Sequence, residues 1–235
     1  MVRIIGYGED ALTFWALKNR LEEILGKLDD KSKQSDCTVF YRPSFGRGGS
    51  NAANFGEFDA IVSTKTHVYL IESKWEGEKR VPRRSVKLSK PQRDRHTIFT
   101  EYFRKWNSSQ GKLSFTAGMS GEHLQDIPSK RTVPAKSELA NHLQLVLSRV
   151  ATRRDDGKKK ELKNVLLFLH REEDESMRIS VEPDDFTPIL VKCPPSMDLE
   201  NDSWFFEMEE PSPHCIASNC QNDGRESPRL RQCSS

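Results

Sequence analysis

The stretch GEFDAIVSTKTHVYLIESKW, residues 56–75, constrains the fold of this 235-residue chain more than any other. Two apolar runs flank Thr64-Lys65-Thr66-His67, a short polar interval of the kind that closes a hairpin. The first run alternates Phe58, Ala60 and Val62 with Asp59, Ile61 and Ser63. The second, Val68-Tyr69-Leu70-Ile71, is apolar at every position, the pattern of a strand buried on both faces. With Lys65 and Thr66 at the centre of the turn, cross-strand partners have numbers that sum to 131, which sets Asp59 opposite Glu72. Side chains alternate with period two, so Glu72 and Lys74 share the face of Asp59.

Directly opposed residues in an antiparallel pair have Cα atoms roughly 4.5–5.5 Å apart, and like charges there repel unless something sits between them. A divalent cation is one such partner. Mg²⁺ binds carboxylate oxygens at about 2.0–2.1 Å, takes only one or two protein carboxylates, and fills its shell with water and phosphate. The expected metal ligands are therefore Asp59 and Glu72. Lys74 adds a positive charge that can orient a water or stabilise charge developing on a phosphate. Without the metal, neutralising either acid should relieve repulsion and leave the fold at least as stable. A solvated hairpin face also carries Glu-x-Lys, but the apolar strand leading into Glu72 argues against a wet face.

Asp59, followed after twelve residues by Glu72-Ser73-Lys74 and preceded by a helix beginning GEDALTFWALKNRLEEIL, resembles the PD-(D/E)xK nucleases of the restriction-endonuclease-like fold. The likeness spans residues 5–170. It implies an α/β core that runs helix, antiparallel strand meander, helix and further strand, with a mixed central sheet flanked by helices. It also implies that an acid near the start of the first helix joins the catalytic site, and Glu9 holds that place. Phe58 stands where the family's motif has proline. Glu9 has a second reading as an acid favouring the positive end of a helix dipole.

Leu12, Trp15, Leu17, Leu21, Ile24, Leu25 and Leu28 recur at helical spacing and predict one helix ending near residues 26–30. CTVFYRP reads as the first strand and SFGRGGSNAANFG as an irregular loop before Asp59. Beyond Trp75 the chain turns basic: Lys79, Arg80, Arg83, Arg84, Lys87, Lys90, Arg93 and Arg95 are opposed only by Asp94. Such a run is suited to a phosphate backbone, and Arg80, Arg83, Arg84, Lys87, Lys90 and Arg93 are the candidate nucleic-acid contacts. A helix from about Pro91 buries Ile98, Phe99, Tyr102, Phe103 and Trp106, with Gln92 and Arg93 on its first turn. A loop spans residues 107–134, then Leu139, Leu143, Val146 and Val150 mark another helix. NVLLFLH predicts a buried strand; MRISV and PILVKC predict edge strands.

Residues 194–235 carry eight acids against three arginines, a net −5, which leaves +7 on the rest of a chain whose total is +2. The sequence thus divides into a domain at 1–193 and an acidic tail at 194–235, docked at its start by Trp204, Phe205 and Phe206 and disordered beyond Pro211. A basic body with an acidic tail points to a nucleic-acid partner. The five cysteines are irregularly spaced, unlike a disulfide framework, and His214, Cys215 and Cys220 lack CxxC zinc spacing. No apolar run reaches the ~18–20 residues of a membrane span, and MVRIIGYGED has no signal-peptide core, so a cytoplasmic protein without membrane association is expected.

These features together predict a Mg²⁺-dependent endonuclease acting on double-stranded DNA, with Mn²⁺ able to substitute, and they leave a homodimer open. Asp59, Glu72, Lys74 and Glu9 are its candidate catalytic residues. A non-catalytic nucleic-acid-binding module on the same scaffold, or an unrelated metal-binding regulatory protein, are the alternatives.

Overall fold

The computed structural model of the chain describes residues 4–45, 56–76, 85–108, 133, 137–152, 156–171, 178–193, 197–199 and 203–208. Among these, no helix is long and apolar enough to cross a membrane. The chain forms two units, Met1–Ile5 with Glu207–Ser235, and Gly6–Phe206. The candidate site lies wholly in the second. Arg80, Arg83 and Arg84, residues 46–55 and 109–132, and His214, Cys215 and Cys220 fall outside the described residues, as does the tail beyond Pro211.

Strand β1 (Ile4–Tyr7) turns at Gly8 into helix α1 (Gly8–Asn19), followed by α2 (Leu21–Lys27). Gly8 has φ +74, a left-handed conformation that glycine adopts without strain, and it lets Glu9 sit on the first turn of the helix. The single helix expected here is broken at Arg20, whose φ is −127 and ψ 14. Beside the break Asn19 Nδ2 donates to the Trp15 carbonyl at 3.0 Å. The apolar stripe survives the break, because Leu12, Trp15, Leu17, Leu21, Ile24 and Leu25 are all buried.

A five-stranded mixed sheet follows from β2 (Thr38–Tyr41), β5 (Ala60–Ser63), β6 (His67–Trp75), β8 (Glu161–His170) and β10 (Phe186–Lys192), in the order β10-β8-β6-β5-β2. The β2-β5-β6 portion is antiparallel, while β6, β8 and β10 run parallel. The hairpin has the expected register: Ala60 pairs with Ile71, Ile61 with Leu70, Val62 with Tyr69 and Ser63 with Val68. Each of these residues is buried, as a central strand pair covered on both faces requires.

Two-stranded ribbons, β3 (Ser44–Phe45) with β4 (Gly56–Glu57) and β7 (Ser85–Lys87) with β9 (Ser180–Glu182), flank the sheet elements in sequence. The residues expected to be an irregular connection before Asp59 thus include short strands at both ends. MRISV forms its strand in the second ribbon, and PILVKC forms the parallel edge strand β10 of the main sheet. Strand β11 (Met197–Leu199) pairs antiparallel with β12 (Ser203–Met208), which contains Trp204, Phe205 and Phe206.

Helices α3 (Lys90–Ser108) and α4 (Glu138–Val150) bring Ile98, Phe99, Tyr102, Phe103 and Trp106 together with Leu143, Val146, Leu147 and Val150. They form one buried cluster with Phe58, Ile61, Val68 and Leu70 of the sheet. Ser137 caps α4, its hydroxyl accepting from Ala140 N. Helix α1 packs on β6 and β8 on the other face, and α2 on β10. The chain is therefore α/β, with a mixed central sheet between helices.

Candidate active site

The C-terminal half of β6 is contacted from both faces. Glu72 points to α3, where Gln92, Arg95 and His96 meet it, whereas Ser73 points to α1. Thr13 Oγ1 lies 2.7 Å from the Glu9 carbonyl oxygen and 2.7 Å from Ser73 Oγ, so a buried hydroxyl pair ties the first turn of α1 to the middle residue of Glu-Ser-Lys. Glu9 then reaches the end of the strand. Its Oε1 accepts from Lys74 Nζ at 3.1 Å and its Oε2 from Trp75 N at 3.0 Å.

Asp59 lies one residue before β5, in a bend where the regular ladder stops at the Ala60–Ile71 pair. Its Oδ2 accepts from Ser73 N at 2.7 Å and its own carbonyl accepts from Arg42 N at 3.0 Å. The structure therefore brings all four expected catalytic residues, Glu9, Asp59, Glu72 and Lys74, to one end of β6. It also qualifies the expected face-to-face acid pair, because Asp59 is turned to the β6 backbone and Glu72 to α3.

The electrostatics of the two acids diverge for that reason. Burial and the neighbouring Glu72 push the Asp59 carboxyl up to about 7, with Glu9 adding to the push and the Ser73 N–H and Lys74 opposing it. Glu72 is only 1% exposed, and burial alone would raise it too. The donors around it win: the His96 hydrogen bond and the Arg95 charge hold its carboxyl below the ordinary value. Lys74 loses some preference for its charge through burial, but Glu9, Asp59 and Glu72 more than restore it, so its ammonium is held above the ordinary range.

Glu72 is gripped at both oxygens. Arg95 Nε is 2.8 Å from Oε1, and Arg95 Nη2 and Gln92 Nε2 donate to Oε2 at 3.0 and 2.9 Å. His96 Nε2 lies 3.4 Å from Oε1, and its Nδ1 is 2.8 Å from Asn164 Oδ1, whose amide donates to Asp185. The imidazole is wedged between the rings of Phe58 and Phe186 at centroid distances of 4.9 and 4.6 Å. Gln92 is in turn fixed by Ser89, whose N–H and hydroxyl both donate to its Oε1 at 2.9 Å.

This geometry decides how well the residues fit a divalent cation. Among the described residues no group of three or more His, Cys, Asp or Glu side chains is arranged to hold one. Asp59 suits the role, because its carboxylate sits beside two further acids and only Oδ2 is engaged among the described residues. Glu9 adds oxygen donors of the right hardness next to it. Glu72 in this arrangement fits less well, since Oε2 already accepts from Gln92 and Arg95 and Oε1 faces the Arg95 charge, with which a cation would have to compete.

Of the expected nucleic-acid contacts, Lys87 is on β7, exposed and 3.6 Å from Glu182; Lys90 opens α3 and donates to Asp94 at 2.9 Å; Arg93 is exposed on the first turn. Gln92, beside Arg93 on the first turn, binds Glu72. Sequence reasoning passed over His96 and Thr13, and it named Arg95 only in the basic run and Ser73 only within Glu72-Ser73-Lys74, without their contacts to Glu72 and Thr13. A signal for Arg95 and His96 existed: Gln92, Arg95 and His96 extend the buried stripe of Phe99, Tyr102, Phe103 and Trp106 backwards at helical spacing, so polar side chains occupy the face that must be buried. No protein-family model, curated protein or solved structure matches the chain.

Proposed function

We propose that the chain is a divalent-cation-dependent endonuclease that hydrolyses phosphodiester bonds in DNA, on a core of the restriction-endonuclease-like kind. The observation that carries this reading is the convergence of three acids, Glu9 of α1, Asp59 before β5 and Glu72 of β6, around Lys74. The order helix, antiparallel meander, helix, parallel strand supports the fold assignment.

In the proposed reaction Asp59, with Glu9 beside it, would hold Mg²⁺ or Mn²⁺. A cation bound there would lower the pKa of a coordinated water and draw charge from the phosphate. Lys74 keeps its proton, so it works as a fixed positive charge against the developing phosphorane and not as a base. Burial and Glu72 push the Asp59 carboxyl up to about 7 without a cation, so a cation binding there would displace its proton. Thr13 and Ser73 keep the Glu9 turn and the Lys74 strand in one register.

A supercoiled plasmid assay tests the reading. Wild-type protein should nick or linearise the plasmid in Mg²⁺ and Mn²⁺, and not in EDTA, while Lys74→Ala should be inert in both. Cleavage by Lys74→Ala at the wild-type rate would end the assignment. A second reading, a nucleic-acid-binding module without catalysis, draws on the pairing of Glu72 with Arg95 and Gln92; under it, DNA is retarded in a gel in EDTA and never cut.

A further inference from the structure

We propose that Arg95 is the phosphodiester-binding residue of this site, and that it reaches the phosphate by leaving Glu72, so that DNA and a divalent cation bind cooperatively. The proposal rests on the nuclease reading for the identity of both ligands. Its basis is the unequal exposure of the Arg95–Glu72 pair: the guanidinium side chain is 15% exposed and the carboxylate 1%, so the arginine forms the accessible side of a buried ion pair.

Arginine offers five N–H donors in a planar fork that matches a phosphate as well as a carboxylate. Here Nε and Nη2 face Glu72, and Nη1 donates to the Glu57 carbonyl. The guanidinium also lies over the Phe58 ring, 5.9 Å from its centroid. Glu57 and Phe58 can keep hold of the side chain while it changes anion. Room for it comes from Gly56, whose φ is +98 and where a Cβ would stand 3.3 Å from Arg95 Nη1.

Departure of Arg95 does not strand Glu72. Gln92 remains as a donor to Oε2 and His96 Nε2 stays 3.4 Å from Oε1, and the acceptor positions vacated are those a cation needs. The charges favour a paired exchange. With Arg95 in place, Lys74 and Arg95 stand against Glu9, Asp59 and Glu72; once Arg95 turns to a phosphate, Lys74 alone of the two faces the three acids until a metal arrives. Each ligand thus removes the obstacle to the other, and linkage makes the effect reciprocal.

The test measures binding and not cutting. Ca²⁺ serves as a probe cation for the oxygen site, and the affinity of a labelled DNA duplex is measured by fluorescence anisotropy in EDTA and in Ca²⁺ at constant ionic strength. Wild-type protein should bind about tenfold more tightly in Ca²⁺. Arg95→Gln should bind weakly, with a difference between the two conditions below twofold. Glu72→Gln, which frees Arg95 of its charged partner, should bind in EDTA nearly as tightly as wild type does in Ca²⁺. If Arg95→Gln does not fold because Glu72 is left unmatched, the double variant Glu72→Gln/Arg95→Gln carries the same test, with weak and Ca²⁺-independent binding expected.

An equal Ca²⁺ effect in wild type and in the Arg95 variants would overturn the proposal, as would weakened binding by Glu72→Gln in EDTA. Failure of the nuclease reading is seen separately: a protein that never cuts plasmid in Mg²⁺ but shows the Ca²⁺ coupling lacks catalysis and keeps the exchange, whereas one that cuts without coupling keeps catalysis and lacks the exchange.

Discussion

Replacing Asp59 by Asn should remove cleavage and, without divalent cation, make the fold more stable at alkaline pH. The carboxyl moves from an ordinary value of 3.8 to about 7 on folding, chiefly through burial and the nearby Glu72. At ~1.4 kcal/mol per pH unit this corresponds to about 4 kcal/mol between the two protonation states. The sign follows from proton uptake. The folded state binds the proton more tightly than the unfolded state, so wild-type stability falls as pH rises from the unfolded value to about 7, and the loss is complete above that.

Asn carries no charge and its amide oxygen can still accept from Ser73 N. Residual solvent at the half-buried carboxyl and the sharing of the repulsion with Glu72 and Glu9 reduce the gain, leaving about 2 kcal/mol at pH 8. For a chain of this size that is roughly 4–8 °C in melting temperature. Thermal melting of both proteins in EDTA at pH 5 and pH 8 measures it. The variant should melt higher at pH 8, and the advantage should shrink at pH 5. A variant that melts several degrees below wild type at pH 8 would show that the Asp59 carboxylate is structural, and the electrostatic argument would be refuted.

Glu72→Gln should behave in the opposite way and cost about 3 kcal/mol in urea unfolding, because Arg95 and His96 lose a buried charged partner; since the folded carboxyl lies below its ordinary 4.5, the cost should fade as pH drops below that value. An unchanged midpoint at pH 7 would mean that the α3 donors do not stabilise the fold. Asp30→Asn should cost a similar ~3 kcal/mol, because this buried carboxylate accepts from Ser32 N, Thr64, Thr66 and Tyr69. It should leave the cleavage rate per folded molecule unchanged, as His67 beside it is five strand residues, roughly 17 Å, from Glu72; a selective loss of cutting would place that end of β6 in the site. Changing Lys87, Lys90 and Arg93 together to Ala should lower the log–log salt slope of DNA binding by about 2–3, and a slope equal to wild type would make them a solvated face.

The contrast between the two acids shows why repulsion alone was an incomplete guide. Between the strands, Asp59 and Glu72 are like charges, and relief of repulsion on neutralising either one is a fair expectation from spacing. For Asp59 that expectation carries over to the structure. For Glu72 it is reversed, because an arginine from a helix some twenty residues later pairs with the carboxylate.

What the sequence by itself determined is what short-range periodicity encodes. The turn at Thr64-Lys65-Thr66-His67 and the period-two alternation set the hairpin register, and therefore the meeting of Asp59, Glu72 and Lys74, since a one-residue slip would turn every buried side chain to the wrong face. Helical spacing likewise set the buried faces of α3 and α4. Tertiary structure alone decided which polar groups meet across elements: Thr13 with Ser73, Glu9 with Lys74, and Gln92, Arg95 and His96 with Glu72. Those contacts join residues up to 65 positions apart, so no local pattern encodes them. They exist because α1 and α3 cover opposite faces of one strand, and polar groups buried there must find partners among whatever the packing brings within reach.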